Sequence, residues 1–220
     1  MKGIRYSLAA VLLTGLAAAA PVHGQEVAIK GGIAVSRFQS TGPVPFDGSF
    51  VSTSFGGHAR FRFGRIALQP ELQVVSRGAS MDATSTTPDE RIRLDYIEIP
   101  LSIVFPFRVG RFEPYAFGGP VIALETRCRS IIEENGLKTN FGCDDQTAGN
   151  AFERSAFDYG VSAGAGVAHP IGSGMILLEG RYTWGLRNIY DDADAGTEVR
   201  NRTYVFSIGY VILASEVGRE

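Results

Sequence analysis

Residues 156–186 read AFDYGVSAGAGVAHP, then IGSG, then MILLEGRYTWGL, and they decide which fold the rest of the chain can join. In the first arm Phe157, Tyr159, Val161, Ala163, Ala165 and Val167 alternate with Asp158, Gly160, Ser162, Gly164, Gly166 and Ala168. In the second, Ile176, Leu178, Gly180, Tyr182, Trp184 and Leu186 alternate with Leu177, Glu179, Arg181 and Thr183. Successive side chains of a strand point to opposite faces, so each arm has one apolar face and one small or charged face. Pro170, Gly172, Ser173 and Gly174 between the arms are hairpin residues. The stretch is a two-stranded antiparallel ribbon with Glu179 and Arg181 on its polar face.

Similar segments fill the chain on both sides. Val27, Ile29, Ile33 and Val35 form one apolar row. Val51, Thr53, Phe55, Ala59, Phe61 and Phe63 form a second, and Leu68, Pro70, Leu72 and Val74 a third. In 91–105 the apolar positions change phase between Leu94–Tyr96 and Ile97–Phe105, which predicts a bulge near Tyr96. Strand five is expected over 114–125. The opening hairpin supplies strands six and seven, and Tyr204, Phe206, Ile208, Tyr210 and Ile212 mark strand eight. Long polar connections are expected at 39–49, 76–90, 126–155 and 190–201. Tighter turns follow the second, fourth and sixth strands.

The start of the chain reads as a leader. Lys2 and Arg5 precede an apolar run, 8–20, and small or tolerated residues lead to a cut before Gln25. This is the order of a secretory signal peptide, with a run too short for a spanning helix. The expected organisation is a signal peptide, 1–24, and one domain, 25–220. The leader takes two of the 21 basic residues and none of the 23 acidic ones, which moves the charge from −2 to about −4. That balance gives no support to a nucleic-acid partner. No later segment is apolar for the ~18 residues of a membrane helix. In an exported chain, Cys128 and Cys143 are expected to close a loop as a disulfide.

Alternating long and short connections, eight strands and an export signal point to an all-β, eight-stranded antiparallel up-and-down transmembrane barrel. Its short turns would lie in the periplasm and its long loops outside. A soluble sandwich or lipocalin-like barrel is the competing reading, with the apolar rows turned inward. Phe61, Phe63, Phe105, Tyr182, Trp184 and Tyr204 fall where interfacial girdles are expected. With the apolar rows facing lipid, the opposite rows place Lys30, His58, Arg60, Arg62, Gln69, Glu71, Gln73, Glu98, Asp158, Glu179 and Arg181 in the lumen. An eight-stranded barrel has room there only for side chains, so a network of paired charges is expected. Glycines 32, 56, 160, 164, 166 and 209 in these rows are expected to make space for the long charged side chains.

The segments LDYIEIPLSIVF (94–105), EPYAFGGPVIAL (113–124), FDYGVSAGAGVAHPIG (157–172) and LEGRYTWGLRNI (178–189) give the chain a resemblance to a known family. It resembles the outer membrane protein beta-barrel domain family common in Bacteroidetes and related bacteria, often labelled porin family protein. The resemblance implies an eight-stranded barrel surrounded by outer-membrane lipid and delivered by the barrel assembly machinery. Such barrels often finish on an aromatic residue, whereas this chain runs on through SEVGRE, so 209–212 is the expected assembly signal.

Three functions are compatible with this reading. One is a structural or surface-interaction barrel whose outer loops meet an extracellular partner. Another is a narrow channel for small solutes. The third is a lipid-modifying enzyme, which needs a histidine beside a serine at the rim. His58 sits among arginines and His169 at a turn, so no catalytic residues and no cofactor are expected. Asp192 and Asp194 hint at a calcium loop, but the spacing lacks the rest of an EF-hand pattern, and no metal is expected.

Overall fold

The computed structural model describes residues 25–41, 48–81, 89–134, 137–143, 155–189 and 198–213. The expected leader, the acidic segment 190–197 and residues 214–220 lie outside them. Nine strands are formed: β1 (Gln25–Ser40), β2 (Gly48–Phe63), β3 (Ile66–Met81), β4 (Asp89–Pro106), β5 (Glu113–Glu134), β6 (Leu137–Gly142), β7 (Phe157–Ile171), β8 (Gly174–Gly185) and β9 (Val199–Leu213). All pairings are antiparallel. β9 returns to β1, and β5 pairs with both β4 and β7, so eight strands close a barrel. The short β6 folds back on the far end of β5 as a flap.

Three tight turns gather at one end. Gly64, Gly110 and Gly172 there adopt φ of 63°, 62° and 60°, a left-handed backbone that other residues enter at a cost. The opening hairpin pairs Ile171 with Gly174 and Gly164 with Arg181, in the register its alternation implies. The remaining connections emerge at the opposite end.

Exposure decides which side of the wall is apolar. Ile29 is 57% exposed, Phe55 65%, Phe206 61% and Ile208 55%, and all lie in outward rows. Lys30, Glu71, Glu179 and Arg181 are each no more than 5% exposed. Such a contiguous apolar exterior is incompatible with water and sets aside the soluble reading. The wall is closed, so no backbone edge faces lipid within the barrel.

β1, β2 and β3 are each 16 residues long, whereas a tilted spanning strand needs ~9–11. The excess projects beyond the apolar belt at the long-loop end, where the polarity of the wall reverses. Outward positions turn from Val35 to Arg37, from Ile97 to Asp95 and from Tyr204 to Arg202. Inward positions become Phe38, Ile92, Leu94, Tyr96 and Val199, all buried in one apolar cluster. A second apolar cluster, including Ala67, Val104, Leu177 and Val211, lies toward the short-turn end.

This reversal corrects three expectations. Residues 76–81 and 89–90 are strand rather than loop, and 126–142 is largely a hairpin made by β5 and β6. β4 keeps one phase throughout, with Leu94, Tyr96 and Glu98 all inward. The irregularity expected near Tyr96 does lie between Asp95 and Tyr96, but the extra residue is Thr126 on β5. Thr126 Oγ1 donates to the Asp95 carbonyl at 3.0 Å across it. The inward glycines serve the expected purpose only in part: a Cβ on Gly209 would fall 2.8 Å from Lys30 Cβ, whereas others make room for backbone or for rings. A Cβ on Gly32 would fall 1.9 Å from the Phe206 carbonyl oxygen, and one on Gly164 would strike the Phe117 ring.

Candidate functional site

The lumen is built from the rows opposite the apolar exterior, and strand alternation alone brings its charges together. Lys30 on β1 lies 3.0 Å from Glu71 on β3 and 2.5 Å from Glu179 on β8. Arg181 stands two residues beyond Glu179 on the same face. It reaches Glu71 at 2.6 Å and Glu179 at 3.2 Å, so each carboxylate touches both cations. Arg181 Nη1 also donates to Gln73 Oε1 at 3.3 Å, and the Tyr115 hydroxyl donates to Glu179 at 3.2 Å. Away from water these charges interact strongly, and a carboxylate left alone there costs several kcal/mol.

Two further clusters flank this centre. Toward the short-turn end, Arg62 contacts Glu26 and Glu113, both at 2.5 Å. Arg60 lies 3.4 Å from Glu26 and donates from Nε to Gln69 at 2.9 Å. Toward the long-loop end, Arg77 bridges Glu98 at 2.6 Å and Asp158 at 3.1 Å, and Asn201 donates to Asp158 at 2.9 Å. His58 lies between the lower and central groups, 1% exposed, and neither ring nitrogen has a hydrogen-bond partner among the described residues.

Aromatic rings set the height of the arginines. The Arg60 guanidinium sits 4.5 Å from the Tyr115 ring centre, Arg181 5.2 Å from Phe117, and Arg77 5.3 Å from Tyr96. These are cation–π distances. Tyr115 and Phe117 fit because Gly166 and Gly164 face them without side chains. The local logic therefore runs from glycine to ring to guanidinium.

Sequence reasoning passed over Glu26, Arg77, Glu113, Asn201 and the three rings. Glu26 shares the parity of Lys30, which the sequence places in the lumen, and lay just before the expected start of β1. Glu113 lay just before the expected start of β5, a strand to which the sequence reading assigned no lumen residue. Arg77 continues the row Gln69, Glu71, Gln73 through a stretch read as loop.

Cys128 and Cys143 form a disulfide with a Cα–Cα distance of 5.5 Å, both side chains buried in the apolar cluster beneath the β5–β6 hairpin. His169 is at the short-turn rim with its ring 4.8 Å from Phe112. Among the described residues, no three His, Cys, Asp or Glu side chains cluster as metal ligands. The two aspartates of the calcium hint, Asp192 and Asp194, fall outside the described residues.

The outer membrane protein beta-barrel domain model matches residues 18–191 of the sequence. The chain belongs to this family. It is a barrel of the bacterial outer membrane, as its family and its apolar exterior both require. Among solved structures it is similar to Neisserial surface protein A, at 14% identity over 84% of this chain and 96% of that one, with a TM-score of 0.46. It is also similar to Ail of Yersinia pestis, solved with the heparin analogue sucrose octasulfate, at 14% identity over 87% and 100%, TM-score 0.44. Outer membrane protein W of E. coli matches at 16% identity over 85% and 97%, TM-score 0.44. The assignment rests on the family match and the strand topology, not on these distant likenesses. Among curated proteins none matches the sequence.

Proposed function

We propose that this outer-membrane barrel is a closed wall rather than a conduit, and that it acts through the extension it raises above the membrane. The observation carrying the reading is the cross-section at Lys30, Glu71, Glu179 and Arg181. Side chains from three strands meet there at ion-pair distance, almost without solvent exposure. Apolar clusters lie on both sides of that layer, so an ion would have to cross both packed and charged sections. An eight-stranded wall leaves no width to spare beside such side chains.

The extension supplies a surface. β5 and β6 rise as a disulfide-pinned hairpin whose residues 137–140 are exposed. The exposed hairpin is the part of the chain to which this reading assigns contact with an extracellular partner. The placement of the barrel histidines supports a non-catalytic reading: His58 is enclosed by the charge network and His169 stacks on Phe112. Planar-bilayer recording of the refolded mature chain tests the closed lumen. The expected result is no steady unitary current above the lipid baseline. Reproducible conductance steps would overturn the reading in favour of a narrow channel for small solutes.

A further inference from the structure

We infer that the outer wall of β8, β9 and β1 is a binding surface for a phosphorylated, acylated lipid of the outer leaflet. The inference rests on the barrel's standing in that membrane and not on its lumen being closed. Three outward rows are stacked there by register. Gly180, Phe206 and Ile33 lie opposite one another, then Tyr182, Tyr204 and Val35, then Trp184, Arg202 and Arg37. The wall thus passes from apolar to aromatic to cationic over a few residues, the order in which an inserted lipid presents chains, backbone and headgroup.

The cationic row is unusual for a strand pair. Arg37 and Arg202 are direct cross-strand partners, and like charges so placed repel. Neither has an acidic partner among the described residues. Arg202 Nη1 is held by the carbonyls of Gly185 at 2.7 Å and Asn201 at 2.9 Å, which fixes its position without neutralising it. Arg187 adds a third cation just beyond the end of β8, over the Phe157 ring at 5.8 Å. A phosphate between Arg37 and Arg202 would turn the repulsion into two charge-assisted hydrogen bonds.

The apolar part of the wall supports the same occupant. A groove of about 690 Å³ runs across β7, β8, β9 and β1, lined outside by Ala165, Leu178, Gly180, Phe206, Ile208 and Gly31. Side chains at Gly31 and Gly180 would meet nothing closer than 3.6 Å, so packing does not demand glycine at either. Their effect is to leave a furrow in the apolar wall below the arginines.

The test uses the mature chain refolded in a phosphate-free glucoside detergent. Bis-phosphorylated lipid A and the same lipid stripped of its phosphates are titrated, with binding read by native mass spectrometry and by thermal unfolding. The phosphorylated form should bind about 30-fold more tightly, the effect of two arginines at an anionic surface. The Arg37→Gln/Arg202→Gln variant should lose that preference while unfolding no lower than wild type in lipid-free detergent. Gly180→Leu should weaken both forms alike. Equal binding of the two lipids by the wild type would overturn the inference without need of any variant. So would a variant that keeps the preference, or stronger retention of a sulfated heparin oligosaccharide than of lipid A.

Discussion

Lys30 stands between Glu71 and Glu179, shielded from solvent, so its removal leaves two buried carboxylates sharing the single Arg181 cation rather than merely deleting a contact. Lys30→Met should lower stability by about 3–5 kcal/mol, the cost of breaking a buried pair from one side. A lower urea midpoint followed by the emission of Trp184 would show it. Adding Glu71→Gln should recover part of the loss, because one stranded charge disappears. Asp95 is a different case, on the outward face above the apolar belt. Partial burial would raise its carboxyl pKa, but hydrogen bonds from Ser76 at 2.6 Å and Arg93 at 2.8 Å outweigh this and hold it below the usual range. A depressed pKa means stability that is complete above the ordinary value of ~4 and lost as pH falls through the lower folded value. Asp95→Asn should therefore flatten part of the acid limb of the melting temperature against pH, by a small amount for so exposed a pair. At this scale the sequence was informative wherever parity held. Lys30, Glu71, Glu179 and Arg181 share inward rows that can be read letter by letter, whereas no local signal pairs Arg62 on β2 with Glu113 on β5 across the lumen.

The strands show where legibility stops. β7 and β8 could be read in full because alternation and turn residues agree along the whole hairpin. β3 was legible only to Val74 and β5 only to Glu125, since the apolar exterior ends there. Beyond the belt, outward residues are polar and inward ones apolar or small, so the alternating signal fades or inverts while the ladder continues. The change at Tyr96 belongs to the same effect. It is an inversion of environment along an unbroken β4, not a slip within it. The β5–β6 hairpin escaped detection for this reason, although its cysteines marked it. Cys128→Ser/Cys143→Ser should loosen the hairpin by up to ~3 kcal/mol in the chain-entropy model for a crosslink of sequence separation 15. Hydrogen exchange over 126–143 should then rise while the barrel strands stay protected. Uniform deprotection of the barrel would place the disulfide in the main stability of the fold instead.

The whole molecule combines two arrangements of matter in one sheet. Within the membrane it is turned inside out, with charges in the lumen and Ile29, Phe55 and Phe206 outside. Above the membrane the same strands return to an apolar interior and an arginine-bearing surface. The topology was accessible from connection lengths, and the charged interior from alternation, because a closed eight-stranded wall leaves both few alternatives. Height was not accessible, since no residue states where lipid ends. Trp184 is the single tryptophan and sits in the row beside Arg202, at the proposed boundary between belt and extension. Depth-resolved quenching of its emission by brominated lipids, in vesicles holding the refolded mature chain, is the most direct test of this inverted wall. Bromines near the headgroup should quench Trp184 more strongly than bromines at the chain ends. Emission insensitive to bromines at any depth would contradict an outward apolar face in contact with lipid.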